Sequence, residues 1–451
     1  MKRFEVVLQT HTLVAAGRRY TRGQFLESHD YIPGSVFRGA VAGDILRHCP
    51  DRCPNKASCD VSDCPARASD GRCLFPDIFL GENAFVFTSL YPQERDRTTR
   101  KLGPVPLSLR TCKHCPGSVE QWNEETRRVG GERPAPRPKP HGVWDALLRG
   151  YKLATRLHEN PNTDVDWKTY GAECPVCGGD ATAPGEPYYL LHPSGAKNAY
   201  VELLSTRMGR QTRVGISRAT HTAAEGLLYS VTGIDGGQQL VGAILVPDNA
   251  PGEAMQVLER LRQDHNTSLQ SPLHIGSGSS RGLGATAFMP ETDFRESNPF
   301  GPLPHRFAGL NARLEADGET RFFSVTLTER AILHCPVTGA PTIGLDSRSL
   351  TDYLRQLSGD SSLPEIEIVA THQAGRPISG WSSAWQLQKW SALATDAGSA
   401  WLCRGPAGDQ HVTALLHALQ ALEERGIGER TEEGFGRLIV CHPIHWEALN
   451  T

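Results

Sequence analysis

Apolar and polar residues alternate with period two across 4–14, FEVVLQTHTLV, the pattern of a half-buried strand. The period then changes. In YIPGSVFRGAVAGDILRHC (31–49), Pro33-Gly34 makes a turn and Ser35 is placed to cap a helix. Val36, Phe37, Ala40, Val41, Ile45 and Leu46 form its apolar face. FVFTSLYP (85–92) returns to strand character, and 112–185 is irregular apart from one predicted helix, WDALLRGYKLATRL. Strands resume at YYLLHP, GLLYSVTGI and QLVGAILV, then come a helix, GEAMQVLERLRQD, a glycine-rich loop and the strand ATAFMPET.

Proline-rich ESNPFGPLPHR (296–306) marks a boundary, and a second round follows it. FFSVTLTERAIL, PEIEIVATHQ, GSAWLCRG and GRLIVCHP read as strands, LTDYLRQL and HVTALLHALQALEERG as helices. Both rounds give the order βαββαβ, so the predicted fold is α+β. It would have two ferredoxin-like (RRM-like) domains, 1–300 and 301–451, with cysteine-rich insertions at about 49–73 and 112–185.

Each round ends on a glycine loop ahead of its last strand. HIGSGSSRGLG holds Gly276, Gly278, Gly282, Gly284 and Arg281; GIGERTEEGFGR holds Gly426, Gly428, Gly434, Gly436, Arg430 and Arg437. A dinucleotide loop would sit between a first strand and a first helix, and a Walker loop needs Gly-Lys-Ser/Thr opening a helix. Neither description fits. Two readings remain: a tight helix-to-strand connection, or a loop whose amides and arginines hold a phosphodiester chain.

The 451 residues carry a net charge of −3, so any polyanion surface must be local. The sequence has no signal-peptide pattern and no apolar run long enough to span a bilayer, and a cytoplasmic location is expected. In a reducing compartment, twelve cysteines, nine of them between 49 and 177, point to metal rather than disulfides. Cys112-x2-Cys115 and Cys174-x2-Cys177 read as a structural Zn2+ site with four thiolates and no open position. Cys49, Cys53, Cys59, Cys64 and Cys73 are expected to give four ligands to a second metal. Zinc is favoured over an iron–sulfur cluster because the C-x2-C-x2-C run is missing. Cys335, Cys403 and Cys441 are expected in strands, buried and inert.

YIPGSVFRGAVAGDIL, IGSGSSRGLG, TRVGISRATHTAAEGLLYS (212–230) and GIGERTEEGFGRL together resemble the RAMP proteins, ferredoxin-fold RNA-binding subunits of CRISPR effector complexes. GWSSAWQLQKWSALATDAGSAWL (380–402) is similar to the second domain of the larger members. The CKHC and CPVCGG pairs around HGVWDALL look most like the large subunit of type III-D complexes. The resemblance implies a subunit that binds CRISPR RNA, capping its 5′ handle. It also implies other RAMP backbone subunits and a large polymerase-like subunit as partners, target RNA contacted indirectly, and no membrane. It places Arg38, Arg207, Arg210, Arg213, Arg218, His221, Arg281, Arg430 and Arg437 against RNA, with Gly276, Gly278, Gly282, Gly284, Gly434 and Gly436 in the loops. Trp381 and Trp385 would stack on bases.

Each of these has a structural alternative: Arg38 as a cap, the central arginines as a solvated face, the tryptophans as core. Related subunits cleave RNA, and here His29 and Asp30 are the only weak catalytic candidates; Asp30 equally suits a turn cap. Three readings stand: a non-catalytic RNA-holding subunit, an endoribonuclease cutting guide precursor or target RNA, and a zinc-stabilised protein-interaction module.

Overall fold

The computed structural model describes residues 1–17, 25–49, 64–81, 83–93, 101–128, 138–159, 172–192, 199–217, 219–266, 271–290, 296–316, 320–382, 387–406 and 408–447. It is a mixed α+β protein built on two antiparallel sheets. In the first half, β1 (Lys2–Thr10) leads to α1 (Gly34–Arg47) and β2 (Val86–Phe87). After a long insertion come β3 (Gln239–Val246), α2 (Gly252–Asp264) and β4 (Ala285–Phe288). The sheet order is β4-β1-β3-β2, with Leu273–His274 added beyond β4 and Tyr91–Gln93 also pairing with β3. Val7 lies opposite Val241 and Leu8 opposite Leu240. Both helices cover one face, where Val6, Leu8, Phe37, Val41, Ile45, Phe87, Val257 and Leu258 form the core.

The second half opens on a helix that periodicity alone did not reveal, α3 (Leu303–Leu314), inside the proline-rich segment read as a linker. Pro302 stands at its cap position and Pro304 in its first turn, where a missing N–H costs nothing. Leu303, Phe307 and Leu310 bury into the second core. Then follow β5 (Arg321–Leu327), α4 (Ser347–Ser358), β6 (Glu367–His372), β7 (Ala400–Gly405), α5 (Asp409–Arg425) and β8 (Leu438–Val440), with sheet order β6-β7-β5-β8. Read from its other edge, that is the order of the first sheet.

In each half a long hairpin extends from the connection into the third strand. One pairs Met208–Ile216 with Ala223–Ile234, the other Gly375–Ser382 with Leu387–Thr395, and each carries a register shift. The insertion of the first half packs against the second half. Leu147 and Leu148, at the start of the helix Ala146–Glu159, join the second core. Tyr189 Oη accepts from His442 Nε2 at 2.6 Å, since His442 Nδ1 accepts from Ile444 N, while His445 Nδ1 lies 2.7 Å from Asp145 and its Nε2 2.8 Å from Thr326 Oγ1. That Thr-His-Asp chain has the connectivity of a hydrolytic triad, but all three residues are buried, so it works as a latch.

Ser35 does not cap α1: the helix starts at Gly34, whose amide donates to Ser89 Oγ at 3.3 Å. The residues predicted as one strand at 85–92 break between Phe87 and Tyr91, and the break admits a carboxylate from the other half. Glu329 accepts from Ser89 N and Ser89 Oγ, both at 2.6 Å. Burial raises its carboxyl to about 7, although Ser89, Arg330 and Arg437 favour the anion; Tyr31 and Tyr91 stand close by. The folded protein therefore holds a proton that the unfolded chain releases above its ordinary value of 4.5, so stability falls as pH rises between about 4.5 and 7. Thermal melts should show a midpoint that climbs from pH 8 towards 5.5. Glu329→Gln should flatten that climb; an unchanged climb in the variant would show that another group titrates.

Candidate functional site

Three short strands assemble the cysteine knuckles. Leu109–Cys112 pairs with Val143–Asp145 on one side and Ala181–Thr182 on the other, so Cys112 lies opposite Ala181. The turn after Cys174 is closed by Gly178 N to Cys174 O at 2.9 Å and Cys174 N to Gly179 O at 2.7 Å. Cys112, Cys174, Cys177 and His141 thereby bring their donor atoms within 4.8 Å of one another. Cys112 Sγ is 3.7 Å from Cys177 Sγ, and Cys174 Sγ is 3.4 Å from His141 Nδ1. Burial opposes ionisation of Cys112, yet the Cys115 and His114 amides and the neighbouring thiols lower it to about 6.

Three sulfurs and one imidazole, with Cys112 and Cys174 buried, His141 half-buried and Cys177 exposed, make a set that can hold a metal ion, and its chemistry suits tetrahedral zinc. The four-thiolate expectation is corrected at one position: His141 stands in the cluster and Cys115 lies beside it, half-buried against Trp144 and its neighbours. The signal was present in the HG immediately before a strand between the two pairs, but C-x2-C spacing drew attention to sulfur alone.

Of the other cysteines, Cys49, Cys64 and Cys73 are buried in the first core, while Cys53 and Cys59 lie outside the described residues. Cys403 and Cys441 are buried, and burial pushes the Cys441 thiol up to about 12. Cys335 was expected in a strand. It sits instead in a half-exposed turn after Leu333–His334, where Thr338 and the turn amides lower its thiol.

The two glycine loops share one backbone. Ser277 bridges Ala15 as Glu429 bridges Ile332, and a 3-10 turn follows in each, Ser279–Arg281 and Thr431–Glu433. Gly276, Gly278, Gly282 and Gly284 all have positive φ, and so do Gly428, Arg430, Gly434 and Gly436 at the matching positions. Their surroundings differ. A Cβ on Gly282 would meet nothing within 4 Å, whereas one on Gly434 would lie 2.5 Å from Phe87 O and 3.6 Å from Gly34 Cα. The second loop is docked on the N-terminus of α1.

Its arginines, and Arg38, expected against RNA, are engaged within the protein. Arg430 pairs with Glu433 and lies 4.8 Å from the Phe435 ring centre. Arg437 is 8% exposed and donates to Glu424 O and Glu423 O at 2.9 and 2.6 Å, satisfying the end of α5. Arg38 donates to Phe79 O beneath the Glu432 and Glu433 carboxylates, and burial lowers its pKa.

The first loop faces solvent beside its hairpin. Arg281 donates to Tyr229 Oη at 2.7 Å, and Arg213 donates to Arg281 O at 3.0 Å. Arg210 lies 5.0 Å from the Phe25 ring centre and Arg207 is exposed. His221 occupies the exposed turn with φ 56°. Arg218 and Trp385 lie outside the described residues, and of Trp381 only the backbone strand is described. Phe25 and Tyr229 were missed because each is a lone aromatic in sequence. Trp390, 95% exposed at the shifted register of the second hairpin, went unremarked between Trp381 and the strand 400–405.

His29 packs 5.1 Å from the Tyr31 ring, while the Asp30 backbone carbonyl accepts from Thr206 and its carboxylate helps raise the Tyr188 pKa.

Neither a family model nor a curated protein matches the chain. Among solved structures, a chain of the type III-B Cmr-beta complex bound to cognate target RNA and AMPPnP is 11% identical, with 89% of this chain and 86% of that one covered and a TM-score of 0.36. A chain of a Cas6 product complex is 13% identical over 46% of this chain and 79% of that one, with a TM-score of 0.27. Among the described residues, no helix is long and apolar enough to cross a membrane.

Elemental analysis of single variants tests the metal centre. His141→Ala and Cys174→Ala should each lose one equivalent of zinc, while Cys115→Ala keeps the full complement. Loss of that equivalent in Cys115→Ala, with retention in His141→Ala, would restore the four-thiolate set.

Proposed function

We propose that this chain is a RAMP-type subunit of a CRISPR ribonucleoprotein, most like the type III-D large subunit, that holds guide RNA without cutting it. The observation that carries this reading is the exposed cationic and aromatic surface formed by the first glycine loop and its hairpin: Arg281, Arg213, Tyr229, Arg210, Phe25 and Arg207. Arginine and aromatic rings set side by side suit a strand whose phosphates need cations and whose unpaired bases need flat partners. The net charge of −3 makes that local surface the only kind a polyanion could use. Supporting it, the two main sheets share one strand order, which is compatible with the paired ferredoxin-like domains that the sequence resemblance implies.

On this reading, Gly276, Gly278, Gly282 and Gly284 let RNA backbone approach the main chain, and the 5′ handle of the guide lies along the hairpin. The metal centre is structural: it fastens the insertion that packs on the second half, and a Cys3His set leaves no open position for water. Backbone subunits and a polymerase-like subunit are the expected partners, with target RNA reached through the guide.

Binding of repeat-derived RNA by the isolated chain at low salt, and by the assembled complex at physiological salt, tests the proposal. Arg281→Ala and Arg213→Ala should each weaken binding about five- to tenfold, and each should lower the salt slope by about one. Unchanged affinity and slope in the double variant would defeat it. Discrete cleavage products removed by His29→Ala would instead favour the ribonuclease.

A further inference from the structure

A small cavity of about 150 Å³ opens beside the metal centre, walled by Ser118, His141, Trp144, Arg149 and Tyr200. Arg149 stands in the first turn of the helix Ala146–Glu159 and is 8% exposed. Its Nε is buried without a hydrogen-bond partner, and among the described residues its guanidinium forms neither a hydrogen bond nor an ion pair. The nearest acid, Asp145, is already used: His445 Nδ1 lies 2.7 Å from its Oδ2, and Leu147 N donates to its Oδ1 at 3.2 Å. Arg313 adds a second positive charge nearby. Glu120 is exposed at the cavity wall and turned to Ser118 Oγ at 3.3 Å.

A buried cation without a partner costs several kcal/mol, and proteins meet that cost with a counter-charge. Among the described residues, the counter-charge acting on Arg149 is Asp145, which makes no direct contact with it and is already engaged by His445 and Leu147, and the cavity gives room for a second. We propose that this cavity is an oxyanion site that takes a phosphate group, held by the Arg149 fork. Trp144 forms the apolar wall, and Ser118, whose hydroxyl donates to Glu120, also lines the cavity. Guanidinium matches a phosphate with two parallel N–H···O bonds, which an ammonium cannot do. The site is separate from the proposed RNA surface and does not depend on it.

The test is thermal unfolding of the zinc-loaded full chain, titrated with inorganic phosphate against potassium chloride at equal ionic strength, with zinc content measured throughout. The wild type should show a saturable rise in melting temperature. Arg149→Met should melt at or above wild type without phosphate, because it removes the unpaired charge, and should gain nothing from phosphate. That crossing of the two curves is the expected signature. Arg149→Lys keeps the charge and loses the fork, so half-saturation should need at least about fivefold more phosphate; it carries the test if the methionine variant does not fold. Adenosine 5′-monophosphate distinguishes the source: a rise equal to that with free phosphate assigns a nucleotide's terminal phosphate, and no rise assigns the free ion. A rise with acetate but not phosphate, no saturable rise at all, or an equal rise in Arg149→Met would overturn the proposal.

Discussion

The two halves are held in register by one close backbone approach. Gly434 sits against Phe87 O and Gly34 Cα, at a spacing that leaves no room for a side chain on either glycine: a Cβ on Gly34 would lie 2.0 Å from the same carbonyl. The contact is electrostatic as well as steric. The 3-10 turn Thr431–Glu433 brings two carboxylates to the N-terminus of α1, where helix amides carry partial positive charge and Arg38 supplies a full one. Lys389, at 2.7 Å, and Arg430 hold Glu433 in place. One strand break away, Ser89 receives Glu329. Because Lys389 belongs to the second hairpin, the same contact fixes how that hairpin leaves its sheet, and Trp390 is presented outward as a result.

Set against this, the first loop has the same turns and the opposite charge. Arg281 occupies the position of Glu433, and Ser280 that of Glu432. An arginine there would repel a helix N-terminus, so the first loop could not make the second loop's contact. Its apex is open, its cation leans on Tyr229, and a second arginine bonds to its carbonyl. Two side chains thus separate a loop that joins the halves from one that, on the proposed reading, would face an anionic strand.

Element order and the repeat were legible in the sequence because strand and helix periods are local. So were the matched loops, since glycine spacing survives in print. What the sequence hid were the relations across distance. α3 was masked by Pro302 and Pro304, which punctuate a loop but equally begin a helix. His141 was overlooked because the C-x2-C spacing drew attention to sulfur and a single histidine carries no spacing of its own. Arg437 and Arg38 resemble surface cations in sequence; only packing reveals that their guanidiniums are consumed by α5 carbonyls and by Phe79 O. Conversely, Arg149 sits in an ordinary amphipathic helix, and nothing local marks its buried Nε as lacking a hydrogen-bond partner.

The different work of the two loops would show in a matched pair of substitutions. Gly282→Val and Gly434→Val impose the same positive-φ strain, worth about 1–2 kcal/mol, at equivalent positions. RNA affinity and melting temperature would be measured on both. Gly434→Val should lose several degrees more than Gly282→Val and bind RNA normally per folded molecule, while Gly282→Val should melt near wild type apart from the strain and lose RNA affinity at least about tenfold. Equal effects of the two variants on both quantities would contradict that difference.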